Sequence, residues 1–142
     1  IRFNGWRYPF RVKLVINMRV VVTGVCAAGK TTLVTRLREL GVDAYNVAQE
    51  HSGIKKLWQK KQPDVLVVLD ATLPVIRKRR NVPWGEERLV LQRERLRDAR
   101  ANASLFIQTD NLGKEDVAAE VVNYIKRRHD NGDLGCGPQT RP

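Results

Sequence analysis

The 142-residue sequence is poor in sulfur, with two cysteines, Cys26 and Cys136, and one methionine, Met18. A lone distant pair makes no disulfide framework, suits a reducing cytoplasm, and reads as incidental rather than catalytic. Long apolar runs are also missing. None approaches the roughly 20 residues of a membrane-crossing helix, so a soluble protein is expected. Acidic residues are scarce, 15 against 26 lysines and arginines, for a formal net charge of +11. None occurs before Glu39, and a second basic cluster runs from Arg77 through Lys78, Arg79 and Arg80 to Arg100. Such an excess attracts nucleic acid, anionic lipid or polyphosphate without specificity. There is no internal repeat, and a chain of this length with 42% hydrophobic residues suits one compact domain rather than two.

The ends differ from the middle. Residues 1–17 are basic and aromatic, and Met18 stands directly before the first apolar run, so they read as an extension upstream of a natural start. Phe10 to Ile16 could alternatively add an edge strand. The absence of acid is shared with organelle transit peptides, but few hydroxyl residues and no clear amphipathic helix argue against one. Residues 131–142 are rich in Gly and Pro and are expected to be a disordered tail.

One stretch carries chemistry. Gly24-Val25-Cys26-Ala27-Ala28-Gly29-Lys30-Thr31 fits G-x-x-x-x-G-K-[ST], a phosphate-binding loop. The apolar run Arg19 to Thr23 before it suits a buried parallel strand, and Thr32 to Leu40 after it has helical spacing ended by Gly41. A simple glycine turn would not require both flanks. Gly24 and Gly29 permit backbone angles that turn consecutive N–H groups into one concavity, where they can hold phosphate oxygens. Lys30 should reach the outer phosphates, its ammonium facing solvent when no ligand is bound. The Thr31 hydroxyl would join a Mg2+ shell otherwise made of phosphate oxygens and water. The positive helix end adds to the site, with Thr32 as its second residue.

Strands and helices then alternate. Asp43 to Val47 reads as a second strand, and Ser52 could cap a helix through Ile54, Leu57 and Trp58 that stops before Pro63. Val65 to Asp70 is continuously apolar and ends in an acid, as a strand covered on both faces should. Thr72 caps a short helix with Pro74 in its first turn. After the break Asn81 to Gly85, a helical pattern runs from Glu86 to Ala103. Leu105 to Gln108 is a fourth strand, and the last helix spans about Lys114 to Arg128. This alternation predicts a parallel sheet with helices on both faces, a three-layer α/β/α domain over residues 18–130.

The chain resembles the P-loop kinases of small molecules, the group of adenylate, thymidylate, cytidylate and shikimate kinases. The phosphate loop carries the likeness, together with Val65 to Asp70 followed by clustered arginines, and Leu105 to Asp110 followed by the helix with Glu115, Asp116 and Val117. The resemblance implies a P-loop nucleoside triphosphatase fold, ATP and Mg2+ as cofactors, and transfer of a phosphoryl group to a small acceptor, perhaps excluded from view by a shortened acceptor region. It implies that Arg79, with Arg77 and Arg80 beside it, closes over the transferred phosphate, since phosphoryl transfer is mostly positioning and charge neutralisation. It places Thr109 and Asp110 against the nucleotide base, although Asp110 could equally be a helix cap or turn residue. Such kinases commonly have five strands, and with one strand–helix unit missing here the expected order becomes 2-1-3-4.

The catalytic acid has two candidates. Glu50 follows the second strand and could face Mg2+ or act as base, with His51 beside it, and Asp70 ends an apolar strand as a metal-linked acid does. The expected set is therefore Lys30, Arg79 and either Glu50 or Asp70 for catalysis, and Thr31 for the metal. Gly24, Ala27, Ala28, Gly29, Lys30, Thr31, Thr32, Arg80, Thr109 and Asp110 would contact the nucleotide. Arg88 to Arg100 read mainly as solvated helix charges, and Trp58 and Trp84 as core residues rather than stacking platforms. The rival functions are a nucleotide-binding regulator without acceptor chemistry and a basic nucleic-acid-binding protein. Neither an N-K-x-D guanine signature nor a recognised nucleic-acid motif is present.

Overall fold

The computed structural model describes residues 18–131. The readings of residues 1–17, of Cys136 and of the tail from residue 132 lie outside the described residues. Within them, β1 (Arg19–Gly24), α1 (Lys30–Glu39), β2 (Asp43–Asn46), β3 (Val65–Asp70), α2 (Leu73–Arg79), α3 (Glu86–Arg95), α4 (Arg97–Ala101), β4 (Leu105–Gln108) and α5 (Lys114–Asn131) follow in order. The strands form one all-parallel sheet in the order β2-β1-β3-β4. The architecture is thus α/β, with the strand order that the missing unit predicted.

Register explains the two cores. Val20 pairs with Val65, Val22 with Val67, and Val67 with Leu105, so these side chains share one sheet face. That face packs with Leu33 and Leu37 of α1 and with Val121 and Ile125 of α5. Val21, Leu66 and Val68 point the other way, to Val47, Trp58 and Ala99. Because both faces are covered, β3 is buried at every position, which is why its sequence is apolar without alternation.

Local chemistry sets the ends of the elements. α1 stops in a Schellman turn, in which Val42 N donates to Leu37 O and Gly41 N to Arg38 O, with Gly41 at φ 90°. The helix expected after Ser52 is absent. Ser52 Oγ instead accepts from Ile54 N, and buried Gln49 shapes the segment, its amide donating to Ile54 O and accepting from Trp58 N. These local bonds leave only two short 3-10 turns, Gln49–His51 and Leu57–Lys61. Trp58 is buried, and its indole N–H donates to Asp98. Lys56 hydrogen-bonds the same carboxylate and is the largest cause of its lowered pKa. Thr72 precedes α2 without a side-chain cap bond, the pattern from Glu86 breaks at Leu96, and α5 includes Asn131, which the sequence assigned to the tail. No helix among the described residues is long and apolar enough to cross a membrane.

Candidate functional site

Four parallel strands deliver their carboxyl ends to one side, where ligand crevices of open α/β sheets form. The loop after β1 crosses this side in a conformation its residues dictate. A Cβ at Gly24 would sit 2.3 Å from Leu69 O of β3, so close approach of two backbones requires glycine there. At Gly29 nothing lies within 4 Å of such an atom, and the φ of 105° is the reason instead. Ala27 adopts φ 59°, a strained choice for a residue with a side chain, costing about 1 kcal/mol. Gly29 also precedes α1 and supplies no capping side chain at the helix end, the end suited to an anion.

The loop forms one wall of an open cleft of about 590 Å³. Of the residues chosen from sequence, Ala27, Ala28, Gly29, Lys30, Thr31, Thr32, Glu50, Arg79, Arg80 and Thr109 line it together. Gly24 lies beneath, packed on β3. Asp70 and Asp110 do not line it.

Lys30 and Glu50 are the centre of the cleft's electrostatics. Lys30 Nζ donates to Gly24 O and Val25 O, each at 2.9 Å, and lies 2.8 Å from Glu50 Oε2. Their side chains are 10% and 4% exposed, so the ammonium does not face solvent as the sequence suggested. It is held back over its own loop by a buried carboxylate. Glu50 Oε1 is buried without a hydrogen-bond partner among the described residues. Exposed His51 brings Nε2 within 3.5 Å of Glu50 Oε2. Thr31 Oγ1 accepts from Asn46 Nδ2 at 3.2 Å.

No group of three or more His, Cys, Asp or Glu side chains suited to a metal occurs among the described residues. Mg2+ bound with a nucleotide needs only one or two protein oxygens, the rest being phosphate and water. Thr31 Oγ1 and the unpartnered Glu50 Oε1 are the oxygens that fit this role.

Arg79 is engaged with the loop. Its Nη1 donates to Ala27 O and Thr109 Oγ1, both at 3.0 Å, and Nη2 donates to Thr109 O at 2.6 Å. The guanidinium thereby joins the phosphate loop to the segment after β4. Arg80 Nη1 lies 3.5 Å from Cys26 Sγ.

The two remaining acids have structural partners. Asp70 pairs with Arg93 at 3.2 Å, and Arg93 also donates to Ala71 O, which corrects both the catalytic reading of Asp70 and the solvated reading of Arg93. Asp110 accepts from Thr72 N and Gln108 Nε2, and so fixes the entry to α2 rather than contacting the cleft or capping α5. Burial opposes ionisation of Asp110, but the hydrogen bonds from Thr72 and Gln108 and the nearby Arg79 charge hold its pKa below the ordinary carboxylate value. Trp84 packs against the main core.

Sequence reasoning missed Asn46, Leu112, Lys114 and Val117, which line the cleft, and Gln92 of α3, which supports it. Gln92 Oε1 accepts from Cys26 N at 2.9 Å. Its signal was present, because Leu89, Gln92 and Leu96 fall on one helical stripe and a lone amide among leucines calls for a partner. No protein-family model matches the chain, and no curated protein sequence is significantly similar to it.

Proposed function

We propose that the chain is a Mg2+- and ATP-dependent phosphotransferase with a P-loop kinase-like fold. The observation that carries this reading is the Lys30–Glu50 pair, held at 2.8 Å in a cleft walled by the phosphate loop and the carboxyl ends of the strands. A triphosphate on the loop amides would draw Lys30 Nζ from Glu50 to its outer phosphates, and the released carboxylate could then accept a proton or a metal-bound water. Mg2+, when bound, would neutralise charge between the phosphates beside Thr31. Arg79 and Arg80 supply further positive charge on the opposite wall, and Thr109, Leu112, Lys114 and Val117 leave room for the nucleoside. The acceptor is a small molecule bearing a group that can take phosphate.

The test pairs direct ATP titration with ADP formation over a panel of nucleosides, nucleotides and hydroxylated metabolites, with Lys30→Gln as control. Acceptor-stimulated ADP release that disappears in the variant is expected. A folded Lys30→Gln protein with unchanged ATP affinity and turnover would sink the assignment. A nucleotide-binding regulator is the second reading, favoured by the absence of any α-helix between β2 and β3 on the acceptor side. Tight ATP binding without ADP formation under any acceptor would select it.

A further inference from the structure

We propose that His51 is itself the first acceptor, taking the terminal phosphoryl group of ATP as a phosphohistidine before it passes to a second substrate. The proposal rests on the phosphotransfer reading and adds a covalent step to it.

Three observations lead there. Lys30 Nζ and His51 Nε2 lie 2.8 Å and 3.5 Å from one oxygen, Glu50 Oε2, so the imidazole lies within about 6 Å of the group expected to hold the outer phosphate. The ring is exposed, whereas Glu50 beneath it is buried, so an approaching phosphate meets the imidazole first. A carboxylate at Nε2 keeps the ring proton there and leaves the Nδ1 lone pair free, the arrangement of a nucleophile oriented by an acid. Finally, a cleft of about 590 Å³ is the size of a site for one ligand, and the chain between β2 and β3 adds two 3-10 turns rather than a second wall. One cleft can serve two substrates in turn if the phosphoryl group waits on the protein.

The step balances without another reactant. The Nδ1 lone pair attacks the γ-phosphorus, the P–N bond forms, and the bond from that phosphorus to the β–γ bridging oxygen breaks, its electron pair leaving with ADP. The proton on Nε2 stays on the resulting imidazolium, facing Glu50 Oε2. Attack by an acceptor hydroxyl on the same phosphorus then releases neutral His51, with the hydroxyl proton and the ring's extra charge removed together through Glu50 and solvent.

The full chain, in excess over γ-labelled ATP and Mg2+ with no acceptor, is quenched in alkali and in acid during the first turnover, alongside an ATP titration and an assay for exchange of labelled ADP into ATP. Expected are protein-bound label matching the ADP released, stable in alkali and lost in acid, together with ADP–ATP exchange. His51→Ala and His51→Asn should lose both signals while their ATP titrations still saturate. Glu50→Gln should slow labelling by roughly 100-fold. ATP binding without label or exchange, label that survives acid, or label persisting in His51→Ala would overturn the histidine step alone. A wild-type chain that binds no ATP would remove the phosphotransfer reading and this step with it.

Discussion

Lys30 and Glu50 illustrate how one contact alters the meaning of a motif residue. The pattern assigns Lys30 to phosphate, yet in the ligand-free fold its charge is satisfied by Glu50 and by two carbonyls of its own loop. Removing the ammonium alone leaves a buried carboxylate beside only the exposed His51. Breaking such a pair from one side costs far more than deleting both charges, because the orphan must stay desolvated. Lys30→Gln should therefore lower unfolding stability by about 3 kcal/mol in urea titration, and Lys30→Gln with Glu50→Gln should recover about half or more of that loss. A single variant as stable as the parent would mean that the pair is effectively solvated. The loop itself was legible because glycine, lysine and threonine at fixed offsets answer to backbone geometry. The Glu50 contact was not, since it depends on where β2 sets down the following turn.

At the scale of elements, α3 is the support that the sequence concealed among its arginines. Gln92 holds the Cys26 amide, Arg93 holds Asp70 and Ala71 O, and Arg95 donates to Glu50 O at 3.4 Å. One helix thus touches the phosphate loop, the end of β3 and the backbone of the candidate acid. The apolar positions of α3 could be read from their spacing, but the targets of its polar residues lie 22 to 66 positions away and become visible only once the sheet is assembled. Gln92→Leu keeps the side chain's bulk and removes the acceptor, leaving the Cys26 N–H without its partner. A loss of about 1–3 kcal/mol is expected by chemical denaturation, with weaker ATP binding because the loop is no longer held in place. Normal stability and affinity would show that Gln92 merely fills space.

For the whole molecule, the question is whether binding would follow from the cleft or from charge alone. Strand order was readable because buried parallel strands announce themselves as apolar runs and their connections obey few rules, whereas a net charge of +11 names no partner. Charge attracts any polyanion, and its effect falls steeply with salt. The cleft adds Thr109, Leu112 and Val117 beyond the phosphate loop, a surface that tripolyphosphate and duplex DNA cannot use as a nucleoside can. Mg–ATP at about 100 times its dissociation constant should raise stability by about 2.7 kcal/mol, a Tm increase of roughly 10 °C. Most of that increase should persist in about 0.5 M salt, beyond the reach of surface charge, and vanish when Lys30 and Glu50 are both replaced by glutamine. Tripolyphosphate should give less at equal saturation of the loop's charge, and DNA should lose its effect in salt. Equal protection by all three ligands, abolished together by salt, would instead mean that the basic surface recognises polyanions and that the cleft contributes no selectivity.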